Sequence, residues 1–372
     1  MARLDKICAI NMGQSPDSST YNEDSNGLPF FQGNADFGEI YPTVRMWCSE
    51  PIKIAREKDV LLSVRAPIGA LNIANCECCI GRGLAALTVN EDICVQEYLW
   101  HVLSSKIDEL NSKGTGSTFK AINKKTLTET EIPLPPLAEQ HKIAAVLDKI
   151  SGLIAKRRQQ LDKMDEMVKA RFVEMFGEPV ENPMGWEEIA LEKRCDIVTG
   201  NTPSRAEPEN YGNFIEWIKS DNINTPAVLL TEAQEYLSET GFHKCRFVEA
   251  GSLLMTCIAG SINCIGNVAV TDRRVAFNQQ INAIVPKQDD VLYLYWLMLL
   301  SKPAIHSTIN MALKGILSKG QLSEMAFPFP PLELQNQFSV FVKKTEKTKA
   351  NINRSLEKLE TLKKALMQEY FG

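Results

Sequence analysis

Two stretches of the chain carry apolar residues at alternating steps of four and three, which is the spacing of a helix that buries one face. The first set is Ile143, Leu147, Ile150, Ile154, Leu161, Met164, Val168 and Met175. The second set is Phe338, Val342, Ile352, Leu356, Leu359, Leu366 and Tyr370, with Thr345, Lys349 and Lys363 as polar breaks. Each stretch predicts a helix of about 35 residues, about 50 Å long at 1.5 Å per residue. We predict that the two helices pack against each other, antiparallel, within one chain; two separate core helices, or helices that dimerise between chains, are the alternatives.

The flanks of these helices repeat. Ile132-Pro-Leu-Pro-Pro-Leu-Ala-Glu-Gln140 precedes the first helix, and Phe327-Pro-Phe-Pro-Pro-Leu-Glu-Leu-Gln335 stands before the second (132 to 327, an offset of 195). The helices close with Glu174-Met-Phe-Gly177 and Glu369-Tyr-Phe-Gly372 at the same offset. Proline lacks an N–H and restricts the preceding residue, so each helix is entered through an extended segment. One offset for two irregular strings indicates an internal duplication.

The rest of the chain divides into two strand-rich parts. Short β-branched and aromatic runs such as Asp59–Val64 and Asn267–Val270 predict strands, and helices are predicted from Val95 to about Leu110 and from Val291 to Leu300. We predict an α+β fold in which two duplicated mixed α/β modules are joined by the two long antiparallel coiled-coil helices with pseudo-twofold symmetry. The predicted division is into a first module, 1–136, a helix, 137–177, a second module, 178–331, and a helix, 332–372.

Composition is that of an ordinary soluble protein, with 44% hydrophobic and 23% charged residues and a net charge of −5. The modules are acidic, whereas both helical stretches carry more Lys and Arg than Asp and Glu. This balance argues weakly against unselective coating of nucleic acid, but local basic patches remain compatible with a selective reader. The N-terminus has no apolar signal core and no run reaches the length of a membrane span, so we expect a cytoplasmic protein.

No catalytic signature is present in the sequence. Phosphate loops, dinucleotide loops and the His-Glu-x-x-His pattern are missing, and the four histidines are scattered. Cys76-Glu-Cys-Cys79 is the only cysteine cluster, and without a second Cys or His pair nearby it is better interpreted as thiols on a strand than as a zinc site. We therefore expect a chain that is not an enzyme and that holds no metal and no cofactor.

Two related modules at a fixed separation suit the reading of two short sites on duplex DNA. Polar and basic loop residues near shared anchors of the two modules are the candidates, since Arg or Lys favours guanine, Asn or Gln favours adenine, and lysines and hydroxyls contact phosphates. In the first module they are Gln14, Ser15, Arg65, Arg82, Lys113, Thr115, Ser117, Lys120 and Lys124. In the second they are Asn201, Thr202, Arg205, Lys219, Asn278, Gln279, Gln280, Lys314 and Lys319. Each of these is also explained by an ordinary solvated loop.

The chain resembles the specificity (S) subunits of type I restriction–modification systems. The resemblance rests on the Pro-Leu-Pro-Pro-Leu-Ala-Glu-Gln140 string, Met184-Gly-Trp186, Gly200-Asn-Thr-Pro203 and the duplicated layout. It implies two target-recognition domains that each read half of an interrupted DNA site, and two helices that set the spacing and dock two methyltransferase (M) subunits. It further implies that those partners methylate adenine with S-adenosylmethionine and that restriction (R) subunits use ATP and Mg²⁺.

Other functions remain open from the sequence. One is the recognition portion of a split restriction–methylation enzyme whose catalytic motifs another gene supplies. A second is a coiled-coil adaptor that never contacts DNA, and a third is a silent specificity cassette used for recombination. The recognised bases and the spacer length do not follow from the resemblance.

Overall fold

The computed structural model describes residues 1–116, 120–309 and 315–372. The chain forms two compact units, Met1–Gln159 with Asn353–Gly372, and Gln160–Ile352. Each unit therefore holds one module, the first half of the helix that follows it and the second half of the other helix. The finer division at residues 136, 177 and 331 stays a prediction.

The first unit contains eleven short strands among its described residues, in two main sheets. Its elements are β1 (Ala2–Arg3), β2 (Cys8–Met12), β3 (Tyr21–Asn22), β4 (Leu28–Phe31), β5 (Trp47–Cys48), β6 (Ile54–Ala55), β7 (Val60–Ser63), β8 (Leu71–Ile73), β9 (Cys78–Ile80), β10 (Leu84–Val89), α1 (Gln96–Ser105), α2 (Ile107–Ser112), α3 (Lys124–Thr128), β11 (Glu131–Ile132) and α4 (Leu137–Phe176). The first sheet has the order β2-β10-β7-β8 and the second β3-β5-β4-β9-β6, in which β4 and β9 run parallel. Strand β1 pairs with β11, which joins the two ends of the module.

The second unit repeats this order. Its elements are β12 (Glu188–Ala190), α5 (Leu191–Arg194), β13 (Cys195–Thr199), β14 (Tyr211–Ile218), β15 (Tyr236–Leu237), α6 (Glu239–His243), β16 (Phe247–Val248), β17 (Leu253–Thr256), β18 (Ile258–Ala259), β19 (Val268–Val270), β20 (Val275–Phe277), β21 (Ile281–Pro286), α7 (Val291–Leu300), α8 (Lys302–Ser307), β22 (Gly315–Ile316), α9 (Lys319–Glu324), β23 (Ala326–Pro328) and α10 (Leu332–Phe371). The sheets β13-β21-β17-β19 and β15-β14-β20-β16 correspond to those of the first unit, and β12 pairs with β23 as β1 does with β11. The predicted duplication of two mixed α/β modules is confirmed.

The halves of α4 and α10 pack antiparallel within each unit. In the first unit Arg158 pairs with Glu360 at 2.7 Å, while Leu147, further back along α4, shares a core with Phe371 at the end of α10. In the second unit Lys349 Nζ donates to Asp165 Oδ1 at 2.6 Å and to Glu346 Oε1 at 3.0 Å. Burial alone would lower the pKa of Lys349, but these two hydrogen bonds outweigh it and raise the pKa, so the buried amine stays charged. The predicted polar break at Lys349 is thus an ion pair between the helices.

One detail of the predicted helices is wrong. The helix expected from Val95 to about Leu110 is two helices, because the chain turns at Lys106, whose N–H donates to the Leu103 carbonyl. At the end of α4, Phe172 and Phe176 are buried in an aromatic core, and the predicted apolar position Met175 packs, half-buried, against the same core. No helix in the described part of the chain has both the length and the apolar content required to cross a membrane.

The repeated proline string ends in a buried glutamine that binds the module to the long helix. Gln140 Oε1 accepts the Val95 N–H at 2.9 Å, and its Nε2 donates to the carbonyls of Ile93 and Pro135 at 3.0 and 2.8 Å. Because Val95 is the N-cap of α1, the amide fixes the start of that helix against the start of α4.

Gln335 makes the equivalent contacts in the second unit. Its Oε1 accepts the Asp290 N–H at 3.0 Å, and its Nε2 donates to Asp289 Oδ1 and to the Pro330 carbonyl at 2.8 and 2.9 Å. Asp290 is the N-cap of α7, as Val95 is of α1. Both glutamines are fully buried, and both of their polar atoms are paired.

The repeated Phe-Gly end of each helix also has a structural role. Tyr98 of α1 donates its hydroxyl to the Pro133 carbonyl at 2.9 Å, and the Phe371 ring packs edge-on against it at 5.6 Å. Tyr293 of α7 donates to Pro328 at 2.7 Å, and Phe176 packs edge-on against it at 5.0 Å. Both signals that revealed the duplication therefore attach the modules to the helices.

We predict that Gln140→Ala lowers the free energy of unfolding by about 1–3 kcal/mol, because the Val95 N–H and two carbonyls lose their partner in a buried site. The change is measured as a fall in the urea midpoint of the full chain. Gln159→Ala, an exposed position on the same helix, is the matched control and should leave the midpoint unchanged. Equal effects of the two substitutions would contradict the role assigned to Gln140.

Candidate nucleic-acid interface

Three predicted residues of the first module meet where β2 ends beside the turn between β9 and β10. The Gln14 N–H donates to the Ile80 carbonyl at 3.0 Å, and Ser15 Oγ accepts the Arg82 N–H at 3.3 Å. The approach is so close that a Cβ on Gly13 would lie 2.1 Å from the Gly81 carbonyl oxygen, which explains the glycine. Gln14 and Ser15 are thus held next to Arg82.

Arg65 and Arg82 line one cavity of about 380 Å³, together with Arg45. None of these three guanidinium groups has a carboxylate within ion-pair distance among the residues that the structure describes. The one carboxylate of the cavity, Asp36, accepts the backbone N–H groups of Gln32 and Gly33 at 2.8 and 3.4 Å. The cavity therefore presents three unneutralised cations, and we refer to it as the arginine cavity.

Arg45 was missed from the sequence. It enters the cavity because the Phe30 N–H of β4 donates to the Met46 carbonyl at 2.9 Å, which brings the segment before β5 alongside β4. Only the pairing of strands β4 and β5, which have 15 residues between them (32–46), places Arg45 there. No local pattern around Arg45 could have indicated it.

The polar loop after α2 runs beside Arg65. Thr115 and Ala121 exchange backbone hydrogen bonds of 3.0 and 2.9 Å, and the Ala66 N–H donates to the Lys120 carbonyl at 3.1 Å. Lys120 and Lys124 are exposed, whereas Lys113 pairs with Glu109 at 2.6 Å. Ser117 lies outside the described residues. Lys113, Thr115, Lys120 and Lys124 do not line the arginine cavity.

In the second module the corresponding amides form hydrogen bonds with their neighbours. Asn201 donates to the Lys244 carbonyl at 2.8 Å and accepts the Arg246 N–H at 2.9 Å. Thr202 Oγ1 donates to Gln279 Oε1. Asn278 Oδ1 accepts the Gln280 N–H at 3.0 Å, and the two side chains are 3.3 Å apart. Of the four amide side chains only that of Gln279 is exposed, and its partner Thr202 is exposed beside it.

Glu235 neutralises two of the four predicted cations of the second module, Arg205 and Lys219. Arg205 Nη2 lies 2.8 Å from one carboxylate oxygen, and Lys219 Nζ contacts the other. Hydrogen bonds from Lys219 and then Arg205 hold the pKa of Glu235 below its ordinary value, so the carboxylate is ionised at neutral pH. Both cations also lie over the Trp217 ring, at 5.5 and 5.4 Å.

Further cations of this module are paired as well, since Arg273 binds Glu216 and Arg274 binds Glu249 at 2.7 Å. Lys319, the first residue of α9, is exposed, and Lys314 lies outside the described residues. Arg246 is exposed, donates from Nη1 to the Thr199 carbonyl at 2.6 Å and has no carboxylate within ion-pair distance among the described residues. The two modules therefore differ in chemistry: the first presents three unpaired guanidinium groups around one cavity, and the second presents an exposed amide, with Arg205 and Lys219 neutralised.

The cysteine cluster lies on and just before β9, with Cys78 and Cys79 buried in the strand. Burial raises the pKa of Cys78 to about 12 and that of Cys79 to about 11, so both thiols are protonated at neutral pH. In the ranges 1–116, 120–309 and 315–372, no three His, Cys, Asp or Glu side chains come together as metal ligands would.

Comparison with known proteins identifies relatives along nearly the whole chain. Residues 1–163 and 183–361 match the family described as type I restriction modification DNA specificity domain. A Methanocaldococcus jannaschii protein, provisionally named as the specificity subunit of the type I restriction enzyme MjaX, is 42% identical over 165 residues, which are 44% of this chain and 39% of that protein. The Escherichia coli EcoBI specificity subunit is 21% identical over 99% of this chain and 84% of its own length. The crystal structure of a type I S subunit from M. genitalium has the same fold, with a TM-score of 0.60, 16% identity, and coverage of 100% of this chain and 95% of that one.

We predict that Glu235→Gln strengthens binding of the protein to duplex DNA of any sequence, because Arg205 and Lys219 lose their carboxylate and become available to phosphates. In a titration by fluorescence anisotropy at several salt concentrations, the slope of log K against log salt should steepen by about one for each cation that reaches a phosphate. Glu209→Gln makes the same change of charge at an exposed position and serves as the control. The same slope for both variants would place Glu235 away from the bound DNA.

Proposed function

The chain belongs to the family of type I restriction modification DNA specificity domains, and we propose that it is the DNA-recognition subunit of a type I restriction–modification complex. In this proposal each module reads one half of an interrupted site on double-stranded DNA. The chain spans 39% of the length of the first relative and 84% of the second, so the activity and partners of those proteins are carried over here as a proposal.

The observation that carries the proposal is that the two modules are attached to the long helices in the same way but expose different side chains. Gln140 and Gln335 each accept the N–H of the residue that caps the module's helix and donate to a carbonyl of the proline string, yet the first module offers Arg45, Arg65 and Arg82 and the second offers Gln279. Two attached readers of different chemistry suit a site with two unlike halves. An adaptor that never touches DNA has no need of a cavity with three unneutralised arginines.

The partners follow from the same proposal. The relatives are named as subunits of restriction enzymes, which supports a chain that works within a complex. We propose two methyltransferase subunits as partners that transfer a methyl group to adenine from S-adenosylmethionine, and restriction subunits that use ATP and Mg²⁺. The target adenine leaves the base stack in the partner's site, while this chain fixes which adenine is presented.

No catalytic step is assigned to this chain. Burial raises the pKa of four further buried thiols, those of Cys8, Cys94, Cys195 and Cys257, to about 12, which keeps them as inert neutral thiols. His101 Nε2 lies 2.7 Å from Asp148 Oδ1 at the contact of α1 with α4, and burial lowers its pKa. Both kinds of group are used for packing, which supports a role in recognition rather than chemistry.

The proposal is tested by expressing this chain with its partner methyltransferase in a host that lacks adenine methylation and mapping the modified adenines genome-wide. We expect one split motif, with two short specified halves around a spacer of fixed length. The same methyltransferase with another specificity subunit is the control for its activity. No modified adenine beside an active control would overturn the proposal and favour the adaptor or the silent cassette.

A further inference from the structure

The backbone hydrogen bonds establish which residues of the two modules are equivalent. In the first module Gly13 and Gln14 donate to Leu84 and Ile80 at 2.9 and 3.0 Å. In the second, Gly200 and Asn201 donate to Ile281 and Phe277 at 3.0 and 3.1 Å. The turns 81–83 and 278–280 thus occupy the same place, and Arg82 corresponds to Gln279. Ser15 and Thr202 also correspond, and each hydroxyl contacts the residue at this position.

The same reasoning identifies the counterparts of the other two arginines. Val64 donates to the Gly83 carbonyl at 2.9 Å as Cys257 does to that of Gln280 at 2.8 Å, so Arg65 corresponds to Ile258. Phe30 donates to the Met46 carbonyl at 2.9 Å as Trp217 does to that of Glu235 at 3.0 Å, so Arg45 corresponds to Gln234. Three arginines of one module are replaced by two glutamines and an isoleucine in the other.

We propose that the residue at the middle of this turn selects a base in each half-site: Arg82 selects guanine in the half read by the first module, and Gln279 selects adenine in the half read by the second. The inference rests on the proposed function and names the specificity-determining residue of each module. An arginine can donate two hydrogen bonds to guanine O6 and N7, whereas glutamine pairs with adenine N6 and N7.

The turn holds each side chain in position for such a contact. A Cβ on Gly83 would lie 2.5 Å from the Gln32 carbonyl oxygen, and one on Gly81 would lie 3.0 Å from the Gln32 Cα, so the backbone on both sides of Arg82 is packed while its side chain is exposed. In the second module Thr202 donates to Gln279 Oε1 and orients the amide. The Gln279 Nε2 has no partner in the described part of the chain and is free to donate to adenine N7.

A phosphate contact explains these positions less well. The phosphates are the same in every half-site, so a residue that contacts them has reason to be a cation in both modules. The bases of two unlike halves differ, and an arginine in one module with a glutamine in the other is the difference that base reading requires. Arg45 and Arg65 add positive charge around Arg82, which attracts the electronegative edge of guanine.

The test is a comparison of adenine methylomes for the complex that carries the unchanged chain, Arg82→Gln or Gln279→Arg, expressed with the partner methyltransferase in a methylation-free host. For Arg82→Gln we expect discrimination for guanine at one position of one half-site to fall at least about tenfold. The other half-site and the spacer should stay the same. For Gln279→Arg we expect preference at one adenine of the opposite half-site to move toward guanine. Arg56→Gln, an exposed arginine of the first module outside the cavity, is the matched control.

Two results would overturn the inference. One is an unchanged motif in both variants, and the other is a uniform loss of methylation at every site, which is the behaviour of a phosphate contact. If a variant gives too little methylation to map, binding of its purified complex to duplexes that differ at the one base pair decides between the same results. The absence of any split motif from the unchanged chain would instead overturn the proposed function, and this inference with it.

Discussion

The structure of each unit depends on one buried amide. Gln140 and Gln335 each join three segments: the proline string, the first turn of the long helix and the N-cap of the module's own helix. An unpaired amide in these sites would cost about 1–3 kcal/mol for every group left unsatisfied, so the three segments must meet in this geometry. The contacts of Tyr98 with Phe371 and of Tyr293 with Phe176 then attach each module to the end of the other long helix. A module is thereby attached to both helices by contacts that its reading surface does not use.

Because the attachment and the reading surface of a module use different residues, the surface side chains can differ between the modules while the attachment stays the same. The hydrogen bonds that place the turn 81–83 are repeated at 278–280, but the side chains they carry differ in charge and in donor pattern. Neutralisation differs as well, because Glu235 pairs with Arg205 and Lys219 in the second module while the arginine cavity of the first has no such pairing among the described residues. Two modules that read unlike half-sites therefore follow from one duplicated fold whose loops carry different residues.

The features that could be predicted from the sequence are those indicated by local patterns that occur twice in the chain. The proline strings, the heptad spacing and the Phe-Gly ends indicated two modules and two paired helices, and Lys349 was recognised as a polar break in the seam. Its partner Asp165 could not be predicted, since the two residues lie on different helices and meet only in the fold. Arg45 and Glu235 were missed for the same reason: strand pairing brings each to its site, and no neighbouring residues indicate it. Most of the predicted contact residues are exposed as expected, but only the tertiary structure shows which of them have free charges.

The central claim is that the two modules are interchangeable DNA-reading units that attach to the long helices in the same way. It is tested most directly by mapping adenine methylation for a chain in which residues 191–326 are replaced by residues 4–131, expressed with the partner methyltransferase. In that chain Gln335 can hold the Val95 N–H as Gln140 does, so we expect it to fold and to methylate a split motif made of two copies of one original half-site. The original motif with two unlike halves, or a chain that no longer folds, would contradict the account.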